Sequence, residues 1–237
     1  MAGLLWAAIA GAEALYRLPW PEGLSYMFTQ VPDGRITSHF TKARLNAVDI
    51  GMPAGVSVLS ARAGVVEAVE AEQAPDEEPA TYEGNFVRVR HDDGTAAVYA
   101  HLQYHSVAVT PGESVRAGQM LARSGASGDA ARPHLHFAVT RIERNSAGWP
   151  EEISLPVTFY VGVPPVAFAP RAALTVKANY SSAADAPRTP RETAPMVPWK
   201  RTELRPEEEP RAWLQLALWF AAGLAGVAWF WGFARKP

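Results

Sequence analysis

Cysteine is absent from this 237-residue chain, which excludes disulfide bonds and metal sites built on thiolates. An excess of charge is also missing, since 22 basic residues nearly balance 24 acidic ones and leave a formal net charge of −2. Such a chain has no electrostatic attraction for nucleic acid. Helical periodicity is a third absence, because no sustained apolar repeat of three and four residues precedes position 212. We therefore expect neither a disulfide-stapled scaffold, nor a nucleic-acid binder, nor a helical domain.

The middle of the chain has the pattern of short β-strands. Between residues 25 and 178, short apolar runs alternate with turn signals. Residues 86–90 alternate apolar and charged side chains, and the Asp-Asp-Gly at 92–94 is typical of a hairpin turn. The sequence predicts an all-β fold, a compact antiparallel β-sheet or sandwich domain over residues 25–178.

The C-terminal part predicts a membrane anchor. Residues 212–233 are apolar without a charged side chain, and about twenty such residues span a bilayer as a helix. A buried core helix is the alternative. Residues 179–211 are rich in Ser, Ala, Pro, Arg and Glu, which predicts a flexible linker. Residues 234–237 form a short basic tail.

The N-terminus bears on the orientation of this anchor. Residues 1–12 include an apolar run and an Ala-Gly-Ala typical of signal-peptide cleavage, although no basic residue precedes the run. An uncleaved anchor or a hydrophobic arm packed on the domain are the alternatives. Arg235 and Lys236 favour a cytoplasmic tail, whereas four basic residues before the span favour the opposite orientation. Because a signal peptide would export the domain regardless of these charges, we expect the domain outside the cytoplasm.

Most of the six histidines fall in a set that also contains an aspartate. The set comprises His39, Asp49, His101, His134 and His136. His134 and His136 are two positions apart, so on a strand both side chains would lie on one face. Zinc prefers imidazole nitrogen and carboxylate oxygen, with one coordination position open in catalytic sites. A His-x-His pair alone is more often structural, but the surrounding motifs favour a metal site.

Those motifs resemble the lysostaphin-type zinc endopeptidases, the LytM domain family. They are Val-Asp-Ile-Gly-Met-Pro at 48–53, Tyr-Ala-His-Leu at 99–102, Gly-Gln-Met-Leu-Ala-Arg-Ser-Gly at 118–125 and Pro-His-Leu-His-Phe at 133–137. The resemblance covers residues 38–139. It implies a Zn²⁺ cofactor with Asp49 and His136 as ligands. It also implies that His101 and His134 flank the attacking water as general base or as stabilisers of the oxyanion.

The chain departs from the commonest pattern of this family at one position. A ligand histidine is expected four residues before the aspartate, where this chain has Leu45. His39, ten residues before Asp49, is the candidate replacement, and Asn46 is a weaker one. The alternative is a site without metal. His91 and His105 are expected in surface turns, without a functional role.

The resulting functional hypothesis is a membrane-tethered, extracytoplasmic zinc metalloendopeptidase that cleaves peptide bonds in cell-wall peptidoglycan. Its alternative is a catalytically inactive domain that binds wall peptide or activates a partner hydrolase. A third reading places the function in the membrane segment alone. Whether His39 completes the metal site distinguishes the first two hypotheses.

Overall fold

A computed structural model describes residues 14–187, apart from 33, 35–36, 76, 79–80 and 185. Within this part the chain forms strands and no α-helix, which confirms the all-β prediction. The strands are β1 Leu15–Arg17, β2 Ser25–Gln30, β3 Val48–Gly51, β4 Ser57–Leu59, β5 Gly64–Glu70, β6 Phe86–Arg90, β7 Ala96–Ala100, β8 Ser114–Val115, β9 Met120–Arg123, β10 Leu135–Arg144, β11 Pro150–Leu155, β12 Thr158–Val161, β13 Val166–Phe168 and β14 Thr175–Lys177.

The predicted terminal segments fall outside this part of the chain. Residues 1–12, 212–233 and 234–237 are not described, and neither is most of the predicted linker at 179–211. Nowhere in the described ranges does a helix have the length and hydropathy of a membrane span.

The largest sheet provides the frame for the histidine set. Its strand order is β14-β2-β3-β10-β7-β6-β5-β8, and every neighbouring pair in it is antiparallel. The long strand β10 lies at the centre. Its first half pairs with β3 and β7, and its second half extends beyond them to pair with β11.

Alternation along β10 separates the core from the opposite face of the sheet. Leu135 and Phe137 belong to the hydrophobic core. His136, between them in sequence, must point to the other face because successive side chains alternate. On β3 the same alternation places Ile50 in the core and Asp49 on the opposite face. Since Asp49 pairs with His136 in register, the two side chains are neighbours on one face.

A second, smaller sheet covers the core face. It has the order β1-β12-β13, and its β1–β12 pair is parallel, unlike the predicted antiparallel arrangement and all other strand pairs described. The ring of Phe159 on β12 lies 5.5 Å from that of Phe28 and 5.6 Å from that of Phe137. These aromatic contacts join the two sheets and fix the strands that carry the site.

Candidate metal centre

Three separate segments bring a His-Asp-His group together. Asp49 lies on β3 and His136 on β10, whereas His39 precedes the turn that leads into β3. His136 Nδ1 is 2.9 Å and His39 Nε2 is 3.2 Å from Asp49 Oδ1. One potential ligand atom from each residue lies within 4.8 Å of the others, and all three residues are buried.

The donor atoms of this group fit a metal ion. Within the described part of the chain neither ring nitrogen of His39 has a hydrogen-bond partner, although both are out of contact with solvent. The 3.2 Å approach of its Nε2 to Asp49 Oδ1 lacks hydrogen-bond geometry, so this nitrogen remains available to another partner. A buried polar atom without a partner is costly, and a cation would remove that cost. Two imidazole nitrogens and one carboxylate oxygen form a ligand set that zinc prefers.

Electrostatics keep Asp49 and His136 in their metal-binding protonation states. Burial alone would raise the pKa of Asp49, but hydrogen bonding to His136 and the proximity of His39 outweigh it and hold that pKa well below its usual value. Burial lowers the pKa of His136. The aspartate is therefore ionised and the imidazole neutral near pH 7, which are the forms that bind metal.

Gln30 orients the aspartate, a role that the sequence motifs do not predict. Its Nε2 donates a 2.6 Å hydrogen bond to Asp49 Oδ2. Its Oε1 accepts a 2.8 Å hydrogen bond from the backbone N–H of Ser38, next to His39. One amide side chain thus links the carboxylate to the segment that carries the third member of the group. Such contacts behind a ligand fix its orientation.

His101 and His134 lie beside the His-Asp-His group and present equivalent ring atoms. Each Nδ1 is 2.8 Å from a backbone carbonyl, that of Ser127 for His101 and that of Arg132 for His134. Because a carbonyl oxygen only accepts, each Nδ1 must donate, and a neutral ring then keeps its lone pair on Nε2. The two ring centroids are 4.6 Å apart, and His134 Nε2 is 3.8 Å from Asp49 Oδ2.

His101 is set up as a neutral base. Burial and the neighbouring His134 and His136 lower its pKa to about 3. Its Nε2 has no hydrogen-bond partner among the described residues. A neutral imidazole with a free lone pair can accept a proton from a water molecule or a substrate group.

Tyr82 and Arg44 cover the histidines from the outside. The Tyr82 ring makes edge contacts with those of His101 and His136, at centroid distances of 5.5 and 5.6 Å. The Arg44 guanidinium lies 3.7 Å from the centre of the Tyr82 ring. Burial raises the pKa of Tyr82, so this phenol stays protonated near neutral pH. The sequence patterns give no indication of this pair.

The position of the missing histidine and the weaker candidate both lie away from the group. Leu45 is 50% exposed in the turn before β3. The side chain of Asn46 donates a 2.8 Å hydrogen bond to the backbone oxygen of Ser154. Of the three positions considered from the sequence, only His39 lies with Asp49 and His136.

The remaining histidines have structural surroundings. The expectation that His91 is a surface residue is wrong: it is 1% exposed, its Nδ1 is 2.8 Å from the Ala63 oxygen, and its ring contacts Tyr16 at 5.7 Å. Tyr16, on strand β1, packs against His91 and buries its ring. His105 is exposed as expected and lies 2.8 Å from Glu72.

The candidate centre opens into a cleft of about 540 Å³. The residues that line it are mostly small or uncharged: Thr29, Gln30, Ser38, Asp49, Gly51, Tyr82, Asp129, Ala131, Arg132, Pro133 and His134. Asp49 and His134 are thus reachable from one open groove. The potential ligand atoms of His39, Asp49 and His136 fit a single metal ion.

The comparisons with known proteins agree with this geometry. Residues 43–147 match the model of peptidase family M23, which confirms the resemblance to lysostaphin and LytM enzymes. The peptidoglycan DD-endopeptidase ShyC of Vibrio cholerae is 32% identical over 134 residues, which are 52% of this chain and 28% of the relative. The cell division protein DipM of Caulobacter vibrioides is 37% identical over 108 residues, 44% of this chain and 16% of the relative.

A solved structure overlaps more loosely. Lysostaphin from Staphylococcus simulans has 24% sequence identity and a TM-score of 0.39, with 54% of this chain and 47% of that chain covered. The chain spans less than a third of the length of the curated relatives named above. Both Gln30 and His39 precede the segment that matches the family model.

Proposed function

We propose that this protein is a zinc-dependent metalloendopeptidase that hydrolyses peptide bonds in cell-wall peptidoglycan. The observation that carries the proposal is the buried group of His39, Asp49 and His136, next to two histidines with free Nε2 lone pairs. The family match supports a peptidase, and the peptidoglycan endopeptidases among the relatives support the substrate class.

In this proposal one set of residues binds the metal and another transfers protons. His39, Asp49 and His136 would hold the zinc, and Gln30 would keep the carboxylate turned toward it. When bound, zinc polarises a carbonyl group and lowers the pKa of water. His101 or His134 would accept a proton from the attacking water at Nε2, and the protonated imidazole would pass that proton to the departing amine, while the Nδ1–H groups of both stay anchored to backbone carbonyls.

The cleft suits an extended peptide with small side chains. Gly51 lines it, and a Cβ at this position would lie 3.1 Å from Thr29 Cγ2. Ala131 and Thr29 line it as well, so the substrate backbone can approach closely. A peptide with small side chains next to its scissile bond matches this shape.

Digestion of purified wall material tests the proposal. The zinc-loaded full-length chain is expected to release peptides with new amino termini from purified peptidoglycan. Removal of zinc with a chelator should lower this rate by at least about 100-fold, because the barrier-lowering Lewis acid is lost. Zinc added back should restore it. Chromatography of the soluble products and labelling of the new amines provide the measurement. Firm binding to wall material without release would instead support the inactive-domain alternative.

We also propose that the domain lies outside the cytoplasm, tethered by residues 212–233. The uninterrupted apolar sequence supports a span, and a wall substrate is reached only from that side. Protease added to intact spheroplasts is expected to digest the domain, while a cytoplasmic marker protein survives. Protection of the domain until lysis would contradict this topology.

A truncation complements the protease experiment. A chain that ends after residue 187 is expected in the soluble fraction, because it lacks the apolar sequence. The cut preserves Tyr180, whose hydroxyl accepts a 2.6 Å hydrogen bond from the backbone N–H of Leu18. A truncated chain that stays with the membrane would locate the anchor elsewhere.

A further inference from the structure

Two charged side chains on the cleft have no part in the proposed hydrolysis. Asp129 and Arg132 both line it, and both are exposed. They belong to the connection between β9 and β10, which ends at His134. No ion pair joins Asp129 to Arg132 among those found in the described residues. The cleft therefore offers a separate positive charge next to the histidine proposed to move protons.

The lack of a partner distinguishes Arg132 from most other arginines of the domain. Arg62 pairs with Asp92 and Asp93, and Arg88 pairs with Glu67 and Glu152. No described residue makes a hydrogen bond, ion pair or ring contact with the Arg132 guanidinium. Of the other described arginines, Arg116 shares this property, but it does not line the cleft.

The backbone of Arg132 is held in place, although its side chain has no partner among the described residues. Its carbonyl oxygen accepts the 2.8 Å hydrogen bond from His134 Nδ1, and Pro133 restricts the backbone between the two residues. The Arg132 side chain therefore extends from a fixed backbone position, two residues before His134. A substrate whose scissile bond lies at His134 brings its flanking residues within reach of this cation.

A guanidinium group is matched in shape and charge by a carboxylate, with which it forms two parallel hydrogen bonds. We propose that Arg132 determines specificity by selecting wall peptides with a free carboxylate on a residue that flanks the scissile amide. This inference rests on the proposed peptidase function. Where a diamino acid provides the nitrogen of the scissile amide, its own carboxylate lies next to that bond. Conversion of this carboxylate to a carboxamide removes the negative charge at the same position.

Two cross-linked peptide dimers test this selection. They differ only in whether the carboxyl group next to the scissile amide is free or converted to the carboxamide. Zinc-loaded full-length protein is expected to cleave the acid dimer with a kcat/KM about 10- to 100-fold above that of the amide, the range of one or two charge-assisted hydrogen bonds. Arg132→Gln should abolish the preference by slowing the acid dimer alone. Arg116→Gln, an exposed arginine away from the cleft, should leave the preference unchanged.

Equilibrium binding of both dimers, measured on the same preparations, distinguishes a failure of the peptidase proposal from a failure of the inference about Arg132. If neither dimer is cleaved but wild type binds the acid form more tightly and Arg132→Gln does not, carboxylate recognition stands and the peptidase proposal is wrong. If wild type cleaves both at equal rates, or if Arg132→Gln keeps the preference, the inference about Arg132 is wrong while hydrolysis stands. Equal binding of the two dimers without cleavage contradicts both.

Discussion

Purified full-length protein is expected to contain about one zinc ion per chain, and His39→Ala, Asp49→Ala and His136→Ala should each remove it. These residues provide the three converging donor atoms of the buried group. Loss of one ligand should weaken zinc binding by more than about 100-fold. Residues that only orient a ligand through a hydrogen bond contribute up to about that factor, and a direct ligand contributes more. Metal analysis after dialysis at defined free zinc measures the effect. Thermal unfolding with and without a chelator provides a second measurement, since bound metal stabilises the folded state.

His39 is the decisive position in this experiment. His105→Asn is the matched control, because His105 is exposed, pairs with Glu72 and has a left-handed backbone that asparagine tolerates. Leu45→His added to His39→Ala should not restore zinc, since the side chain at 45 is half exposed in its turn. A His39→Ala protein with full zinc would leave the third ligand unidentified and contradict the geometry. Zinc near zero in the wild type would favour a domain without metal.

The sequence predicts those parts of the site that depend on strand alternation and on short motifs. The two histidines of the doublet could be placed on one face because their spacing is local, whereas Asp49 is assigned to the same site only through the resemblance of its motif. The connection of His39 to them is different. It depends on Gln30, which pairs in register with Asp49 on a neighbouring strand and accepts the Ser38 N–H. Strand pairing of this kind is set by the whole sheet, so no local pattern reveals it.

The wrong expectation for His91 has the same cause. Asp92 and Asp93 form the predicted turn, and they also bind Arg62 from a different strand connection. His91 is buried because Tyr16 of a three-residue strand packs against it, and β1 itself is held by a parallel partner far along the chain. A strand of three residues carries too little pattern to be recognised.

Replacement of His101 or His134 is expected to lower kcat by about 10²- to 10⁴-fold and to leave the zinc content unchanged. Both side chains present a free Nε2 beside the metal ligands, yet each is anchored through Nδ1 to a carbonyl oxygen rather than to the metal group. Their loss should therefore remove proton transfer and not metal binding. Rates on a soluble cross-linked peptide and metal content, both from the same preparation, provide the measurement.

The choice of substitution at position 101 follows from its backbone. His101 has a φ of 61°, a left-handed conformation that asparagine tolerates better than alanine does. His101→Asn also retains an N–H that can donate to the Ser127 oxygen, so it separates lost chemistry from lost structure. His134 has no such restriction, and His134→Ala is sufficient there. His105→Asn serves as the control with unchanged kcat, because His105 also has a left-handed φ, of 53°. If His101→Asn or His134→Ala also loses zinc, the division between metal ligands and proton-transfer residues is wrong, and the replaced histidine is itself a zinc ligand.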